Sequence, residues 1–83
     1  MQLTILTPEK RIYDGEATGV KLPGIEGSFE ILDRHAPIIA ALAEGVVRVN
    51  SKEGRKLFNI KSGFVEGLNN NVTVLVEGAS VQQ

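Results

Sequence analysis

Short runs of alternating apolar and polar residues make up most of the chain, and glycine and proline interrupt them at short intervals. The clearest run covers residues 72–77, in which Val72, Val74 and Val76 fall on one face. Alternation with a period of two indicates a half-buried strand, and many short strands separated by turns indicate a sandwich or barrel. The pattern therefore predicts an all-β fold, a flattened β-sandwich of about ten short, mostly antiparallel strands. The chain length fits one domain, residues 1–83.

Turn residues predict where several strands end. Proline lacks the amide donor of a β-ladder, so residues 7–8 (Thr-Pro) should end the first strand. Residues 14–15 (Asp-Gly) predict a turn, and residues 62–63 (Ser-Gly) predict a break between two strands. Asparagine tolerates the left-handed conformation, so the run 69–71 predicts a tight turn.

The middle of the chain is less regular. Pro37 biases the preceding residue away from the helical region, so residues 33–37 should form a loop. Residues 38–44 fit either a strand or two helical turns, because periodicity does not separate the two at this length. Small side chains at Ala36, Ala40, Ala41 and Ala43 would let another backbone approach closely. Composition thus favours the apolar run 37–43 as an interface, with one more core strand as the alternative.

Composition excludes several classes of function. Nine basic and ten acidic residues nearly cancel, and the basic residues lie scattered in ones and twos, which disfavours nucleic-acid binding. The absence of cysteine excludes disulfides and thiolate metal sites. The amino-terminal residues do not resemble a signal peptide, and the longest apolar run is too short to span a bilayer. We therefore expect a cytoplasmic protein without a membrane-inserted segment.

Candidate chemistry is sparse. His35 is the one histidine, and it has neither a thiol nucleophile nor further nitrogen donors for a metal, so a structural or interface role is expected. The carboxylates fall mostly in turns or on polar strand faces, where they are ordinarily solvated. The glycines at 24 and 27 lie between strands, so they do not make a phosphate-binding loop at a helix start. We predict no catalytic residue, no cofactor and no metal.

One ordered set of sequence motifs is specific enough to indicate a protein family. Residues 22–37 read Leu-Pro-Gly-x-Glu-Gly-x-Phe-x-Ile-x-x-x-His-Ala-Pro, and residues 44–49 read Glu-Gly-Val-Val-Arg-Val. Ser-Gly at 62–63 and Asn-Val-Thr-Val-Leu at 71–75 follow. This set closely resembles the epsilon subunit of F-type ATP synthases, called delta in mitochondria. The opening residues 8–15 also fit, so the resemblance covers nearly the whole chain.

The resemblance implies a role as well as a fold. The family's β-sandwich sits at the foot of the central rotor stalk, beside the gamma subunit and on the membrane ring of c subunits. It helps couple proton or sodium flow to ATP synthesis, while catalysis occurs on other subunits. For this chain it implies a peripheral location at the cytoplasmic face of the inner membrane, with the gamma subunit and the c-ring as partners.

The resemblance also implies two sets of contact residues. The set expected to touch the c-ring is Glu26, Gly27, Ser28 and Phe29. The set expected to lie near gamma is Thr7, His35 and Ala40, with Pro37 and Ile38 beside them. Ser28 departs from the acidic residue that relatives often carry, and Phe64 stands where a second glycine usually follows Ser-Gly.

Typical bacterial members continue into two carboxy-terminal helices that inhibit ATP hydrolysis and, in some, bind ATP. Because the sequence ends at Gln83, we expect neither an inhibitory arm nor nucleotide binding. The competing hypothesis is a free-standing β-sandwich that binds a small ligand or carbohydrate, which the absence of tryptophan disfavours. A minor hydrolase would require His35 to support turnover.

Overall fold

Within residues 1–82, which the computed structural model describes, the alternating runs fold into ten strands that pair in one curled sheet. The strands are β1 (Gln2–Leu6), β2 (Arg11–Glu16), β3 (Gly19–Gly24), β4 (Gly27–Leu32), β5 (Ile38–Leu42), β6 (Gly45–Ser51), β7 (Gly54–Ile60), β8 (Ser62–Leu68), β9 (Asn71–Glu77) and β10 (Ser80–Gln82). Their order across the sheet is β10-β7-β6-β3-β5-β8-β9-β1-β2, and β4 pairs with β3 outside this path. The predicted all-β fold is confirmed. No helix in this part of the chain is long and apolar enough to cross a membrane.

Hairpin connections make most of the sheet antiparallel, as predicted. Among the strands of residues 1–82, β1 and β9 pair in parallel and the other pairs are antiparallel. The parallel pair brings the first strand beside the ninth, with Leu3 opposite Val72 and Ile5 opposite Val74. All four of these side chains are buried. The first and ninth strands are therefore joined through the core.

The sheet curls around one cluster of apolar side chains. Every second residue of a strand points inward, and these positions carry the valines, leucines and isoleucines of the alternating runs. Val72, Val74 and Val76 are buried, which confirms the face predicted for residues 72–77. Leu22 of β3 and Val65 of β8 are both fully buried in this cluster. Each such side chain contributes roughly 1.5–3 kcal/mol through burial.

Two predicted interruptions are wrong. Asp14 and Gly15 lie inside β2 rather than in a turn, because they pair with Thr4 and Leu3 of β1. Ladder pairing along a whole strand outweighs the local turn preference of an Asp-Gly pair. Likewise, residues 62–63 are the first residues of β8, so the break is shorter than predicted and falls at Lys61.

The other predicted turns are confirmed. Asn69 and Asn70 have φ angles of 53° and 61° and form the two-residue turn of the β8–β9 hairpin. Both central residues of such a hairpin turn need positive φ, which asparagine tolerates. Residues 33–37 form a loop between β4 and β5, in which Arg34 has a φ of 63°. Residues 38–42 form strand β5, which decides between the two alternatives for that run.

Candidate protein-binding site

Strand β5 alternates sharply between the core and the outside. Ile38 and Ala40 pack against the core, and Ala40 lies opposite the fully buried Val65 of β8. Ile39, one position away, is 66% exposed. Ala41 points to the same outer side as Ile39, because strand side chains alternate with a period of two. Of the residues expected near gamma, Ile38 and Ala40 are thus turned toward the interior.

Outer side chains of four neighbouring strands form an exposed apolar surface. Leu6 lies opposite Leu75, Leu75 opposite Phe64, and Phe64 opposite Ala41, so one row crosses β1, β9, β8 and β5. Phe64 and Leu75 are 43% and 51% exposed. We call this surface, completed by Ile39, the apolar face. An exposed apolar row on a small sheet is typical of a surface that another protein covers.

A hollow of about 450 Å³ runs beside the apolar face. Thr7, Pro8 and Phe64 are among the residues that line it. The Thr7 hydroxyl accepts hydrogen bonds from the amides of Glu9 (3.3 Å) and Lys10 (3.0 Å), which fixes the turn after β1. Thr7 therefore holds the shape of the rim of the hollow.

The loop 33–37 lies against the β8–β9 hairpin. The Arg34 amide donates to the Asn70 side-chain oxygen over 2.8 Å. His35 is half-buried, and its Nδ1 lies 2.9 Å from the Ala36 carbonyl oxygen. Pro37 is exposed and immediately precedes β5. The loop thus carries an inward histidine and an outward proline.

The turn between β3 and β4 is exposed at its tip. Gly24 pairs with Gly27, which leaves Ile25 and Glu26 at the tip of a two-residue turn. Gly27 has a φ of 128°, a conformation that side-chain-bearing residues rarely adopt. Ile25 is 64% exposed, and Glu26, Gly27 and the following Ser28 are exposed as well.

Phe29 differs from the other three residues expected at the ring, because it packs against the core. A Cβ added to Gly24 would lie 2.8 Å from Phe29 Cε1, so the ring covers the backbone of the turn. Two backbone hydrogen bonds tie the turn region to β5. Ile25 donates to the Ala41 carbonyl over 3.1 Å, and Ala43 donates to the Pro23 carbonyl over 2.7 Å.

The strongest interactions between charged groups are those of the Met1 ammonium, and their effect is to stabilise the fold. The Met1 ammonium donates to the Asp33 carboxylate, to the Ala17 carbonyl (2.9 Å) and to Glu16 (3.3 Å). The hydrogen bond to Asp33 raises the pKa of the Met1 ammonium above its ordinary 8.0. The same bond holds the pKa of Asp33 below its ordinary 3.8. Within residues 1–82, no three histidine or acidic residues gather in a way that could hold a metal ion.

Most of the apolar face is not apparent from the sequence pattern. The run 37–43, predicted as an interface from its composition, contains Ile39 and Ala41, but nothing in the pattern indicates that Leu6, Phe64 and Leu75 lie beside it. Leu75 lies in the 72–77 run on the face opposite the three buried valines, so its exposure follows from the alternation. Which exposed residues become neighbours depends on strand pairing, which the sequence pattern does not specify.

A small sandwich with an exposed apolar face and an exposed two-residue turn has the features of a protein-binding domain. The family model described as "ATP synthase, Delta/Epsilon chain, beta-sandwich domain" matches residues 1–82. The chain therefore belongs to the delta/epsilon chain family of ATP synthases, as the motifs at 22–37, 62–63 and 71–75 indicated.

Named relatives are found among bacteria. The ATP synthase epsilon chain of Leptospira interrogans is 32% identical over 83 residues, covering all of this chain and 65% of the relative. The epsilon chain of Chlorobium limicola is 41% identical over 80 residues, covering 95% of this chain and 91% of the relative. The chain thus spans about two thirds of the first relative and nearly all of the second.

Solved structures share the fold. A chain of the Euglena gracilis mitochondrial ATP synthase (OSCP/F1/c-ring) superposes with a TM-score of 0.88 at 22% identity, covering 95% of this chain and 51% of that one. A chain of the Tetrahymena thermophila mitochondrial ATP synthase (central stalk/c-ring) gives 0.82 at 19%, covering 96% and 65%.

Proposed function

We propose that this chain is a non-catalytic rotor subunit of an F-type ATP synthase, which binds the gamma subunit and the c-ring. In this role it couples ion translocation through the ring to ATP synthesis on other subunits. The observation that carries the proposal is the pairing of an exposed apolar face with an exposed turn that carries Glu26, the two being joined through strand β5. Membership of the delta/epsilon chain family supports the choice of gamma and the c-ring as the two partners.

The apolar face is the proposed gamma-binding surface. Phe64 and Leu75 lie at its centre, where exposed apolar side chains stabilise a complex most when a partner excludes water. Thr7 and Pro37 lie on strand-end segments that border the same strands, β1 and β5. Ile38 and Ala40 support the face from the core side. His35 sets the loop that carries Pro37.

The β3–β4 turn is the proposed contact with the c-ring. Glu26, Gly27 and Ser28 are exposed and mostly polar, as suits the polar loops of a membrane ring. Phe29 holds the turn from beneath and does not need to touch the ring itself. Because Ser28 is neutral, Glu26 supplies the negative charge of this contact.

Strand β5 links the two proposed contacts. Its residues Ile39 and Ala41 belong to the apolar face, and the Ala41 carbonyl accepts a hydrogen bond from the turn residue Ile25. A force on the turn therefore reaches the gamma-binding surface through backbone hydrogen bonds rather than through flexible side chains. We expect no nucleotide or cofactor in this transfer, and a peripheral position at the cytoplasmic face of the inner membrane.

Co-expression with the gamma subunit of the same organism tests the proposal. The wild-type chain should co-purify with gamma and, in the presence of the c-ring, with the ring. Phe64→Asp should abolish co-purification. Val46→Asp is the matched control, because Val46 is 39% exposed on β6, in the other half of the sheet. A wild-type chain that ignores gamma, or a Phe64→Asp variant that still binds it, would contradict the proposal.

A further inference from the structure

We infer that His35 and Gly67 form an interlocked pair that fixes the loop 33–37 against strand β8, so that His35 is a positioning residue rather than a contact. The inference rests on the proposed function, since the loop presents Pro37 beside the gamma-binding face. The imidazole is turned toward the sheet, and β8 carries glycine at the point where the ring approaches.

The space at residue 67 shows why glycine is needed there. A Cβ on Gly67 would lie 2.8 Å from His35 Cε1, 3.3 Å from His35 Nδ1 and 3.0 Å from Ile38 Cγ2. Carbon atoms in van der Waals contact stay about 3.5–4.0 Å apart, so any larger residue would displace the imidazole. Glycine within a strand lowers stability by roughly 0.5–1 kcal/mol relative to alanine. The position of the histidine ring accounts for a glycine at this point of β8.

The surroundings of the two ring nitrogens define which way the His35 ring faces. Nδ1 of His35 lies 2.9 Å from the Ala36 carbonyl oxygen, which only accepts, so Nδ1 carries the proton. Nε2 is buried and has no hydrogen-bond partner among residues 1–82. Both ring nitrogens are therefore directed at the protein. A residue whose main task was to contact a partner would present one of them to solvent.

A second tie holds the same loop. The Arg34 amide donates to the Asn70 side chain over 2.8 Å, and Arg34 has the positive φ of 63°. A non-glycine residue in this conformation persists only where its surroundings hold it. Asn70 and Gly67 both belong to the β8–β9 hairpin, so one hairpin fixes two successive loop residues. Ala36 and Pro37, which follow them, are left exposed.

Gly67→Ala tests the pair, with Gly15→Ala as control. Gly15 also lies within a strand, but the nearest atom to a Cβ there is 3.9 Å away. The single histidine gives one unambiguous imidazole signal in an NMR spectrum. Gly67→Ala should shift the His35 Hε1 and Arg34 amide resonances and weaken gamma binding roughly tenfold, about 1.4 kcal/mol. Gly15→Ala should change neither.

A double-mutant cycle shows whether His35 and Gly67 act as one coupled pair or independently. His35→Ala should weaken gamma binding, and adding it to Gly67→Ala should cost little more, because both changes release the same loop. Additive losses would overturn the inference, as would unchanged loop resonances in Gly67→Ala. Long-range ¹H–¹⁵N spectra should show the proton on Nδ1, and a proton on Nε2 would also overturn it.

Two outcomes keep this test separate from the proposed function. If the wild-type chain does not bind gamma, the proposed function fails, and the NMR signals of the isolated chain still decide whether the pair exists. If Gly67→Ala does not fold, Asn70→Gly replaces it, because glycine keeps the positive φ and removes the acceptor. The chemical shifts of the Arg34 amide and of His35 should then change together. A change in the Arg34 shift alone would contradict the inference that one hairpin fixes both residues.

Discussion

Substitution by arginine at the adjacent residues Ala40 and Ala41 of β5 should have different effects, a loss of stability at Ala40 and a loss of gamma binding at Ala41. Ala41→Arg places a charge on the apolar face, whereas Ala40→Arg forces one against the core beside Val65. Ala41 is half-buried like Ala40 but faces outward, and a substitution whose side chain extends into solvent usually changes stability by less than about 0.5 kcal/mol. An arginine stem at Ala40 has to displace packed side chains to reach water, and we expect a loss of roughly 3 kcal/mol. The two variants therefore separate binding from folding.

The size of each effect follows from the size of the protein. A chain of 83 residues has a net stability of roughly 4–12 kcal/mol, at about 0.05–0.15 kcal/mol per residue. A loss of 3 kcal/mol lowers the urea midpoint by about 3 M when the m-value is about 1 kcal/mol/M. At the interface, an unpaired charge covered by gamma costs about 3 kcal/mol, which weakens the complex roughly a hundredfold.

Circular dichroism suits the folding measurement, because the chain has no tryptophan for fluorescence. Urea titrations of the two isolated variants give stability, and biolayer interferometry with immobilised gamma gives affinity. Ala41→Arg should keep the wild-type midpoint and lose affinity, and Ala40→Arg should lose stability. Full affinity in Ala41→Arg would show that the apolar face is not the gamma-binding surface. An unfolded Ala41→Arg together with a stable Ala40→Arg would reverse the assignment of the two faces.

Three further predictions concern stability. Leu22 is fully buried, so Leu22→Ala should lower the free energy of unfolding in urea by about 2–5 kcal/mol. Leu75 is about half exposed, so Leu75→Ala should lower it by under about 1 kcal/mol. Equal losses in the two variants would contradict the core assignment. Gly63→Ala should destabilise the β8–β9 pair, because its Cβ would lie 2.6 Å from the Leu75 carbonyl oxygen; unchanged hydrogen exchange along β9 would refute this. Asp33→Asn should lower stability most between about pH 4 and 8, since the raised pKa of the Met1 ammonium and the lowered pKa of Asp33 confine their attraction to that window. The difference from wild type should shrink as pH falls through the lowered pKa of Asp33 or rises through the raised pKa of Met1, and a pH-independent difference would contradict the ion pair.

The sequence predicted the elements that depend on local pattern. Alternation identified the buried valines of 72–77, and the asparagine run identified the positive-φ turn of the β8–β9 hairpin. The Asp14-Gly15 pair was misread because its conformation is set by β1, a strand that lies several residues earlier in the chain. Local preference has little weight where a continuous ladder is available.

The site was less predictable than the fold. Motif resemblance supplied Thr7, His35 and Ala40 as positions near gamma, but not which way each side chain points. The inward direction of Ala40 follows from its opposition to Val65, and the apolar face exists only because β1, β9, β8 and β5 lie side by side. Such neighbours are brought together by long-range pairing, which periodicity alone does not specify.

The parallel pairing of β1 with β9 has a consequence for synthesis on the ribosome. The first strand emerges early, yet the neighbour that covers one of its edges is made only when residues 71–77 have been translated. Until then Leu3 and Ile5 lack their buried partners, and one edge of β1 stays open to other chains. The β1–β9 pair therefore forms late, and conditions that slow translation of residues 71–77 should increase the need of the nascent chain for chaperones.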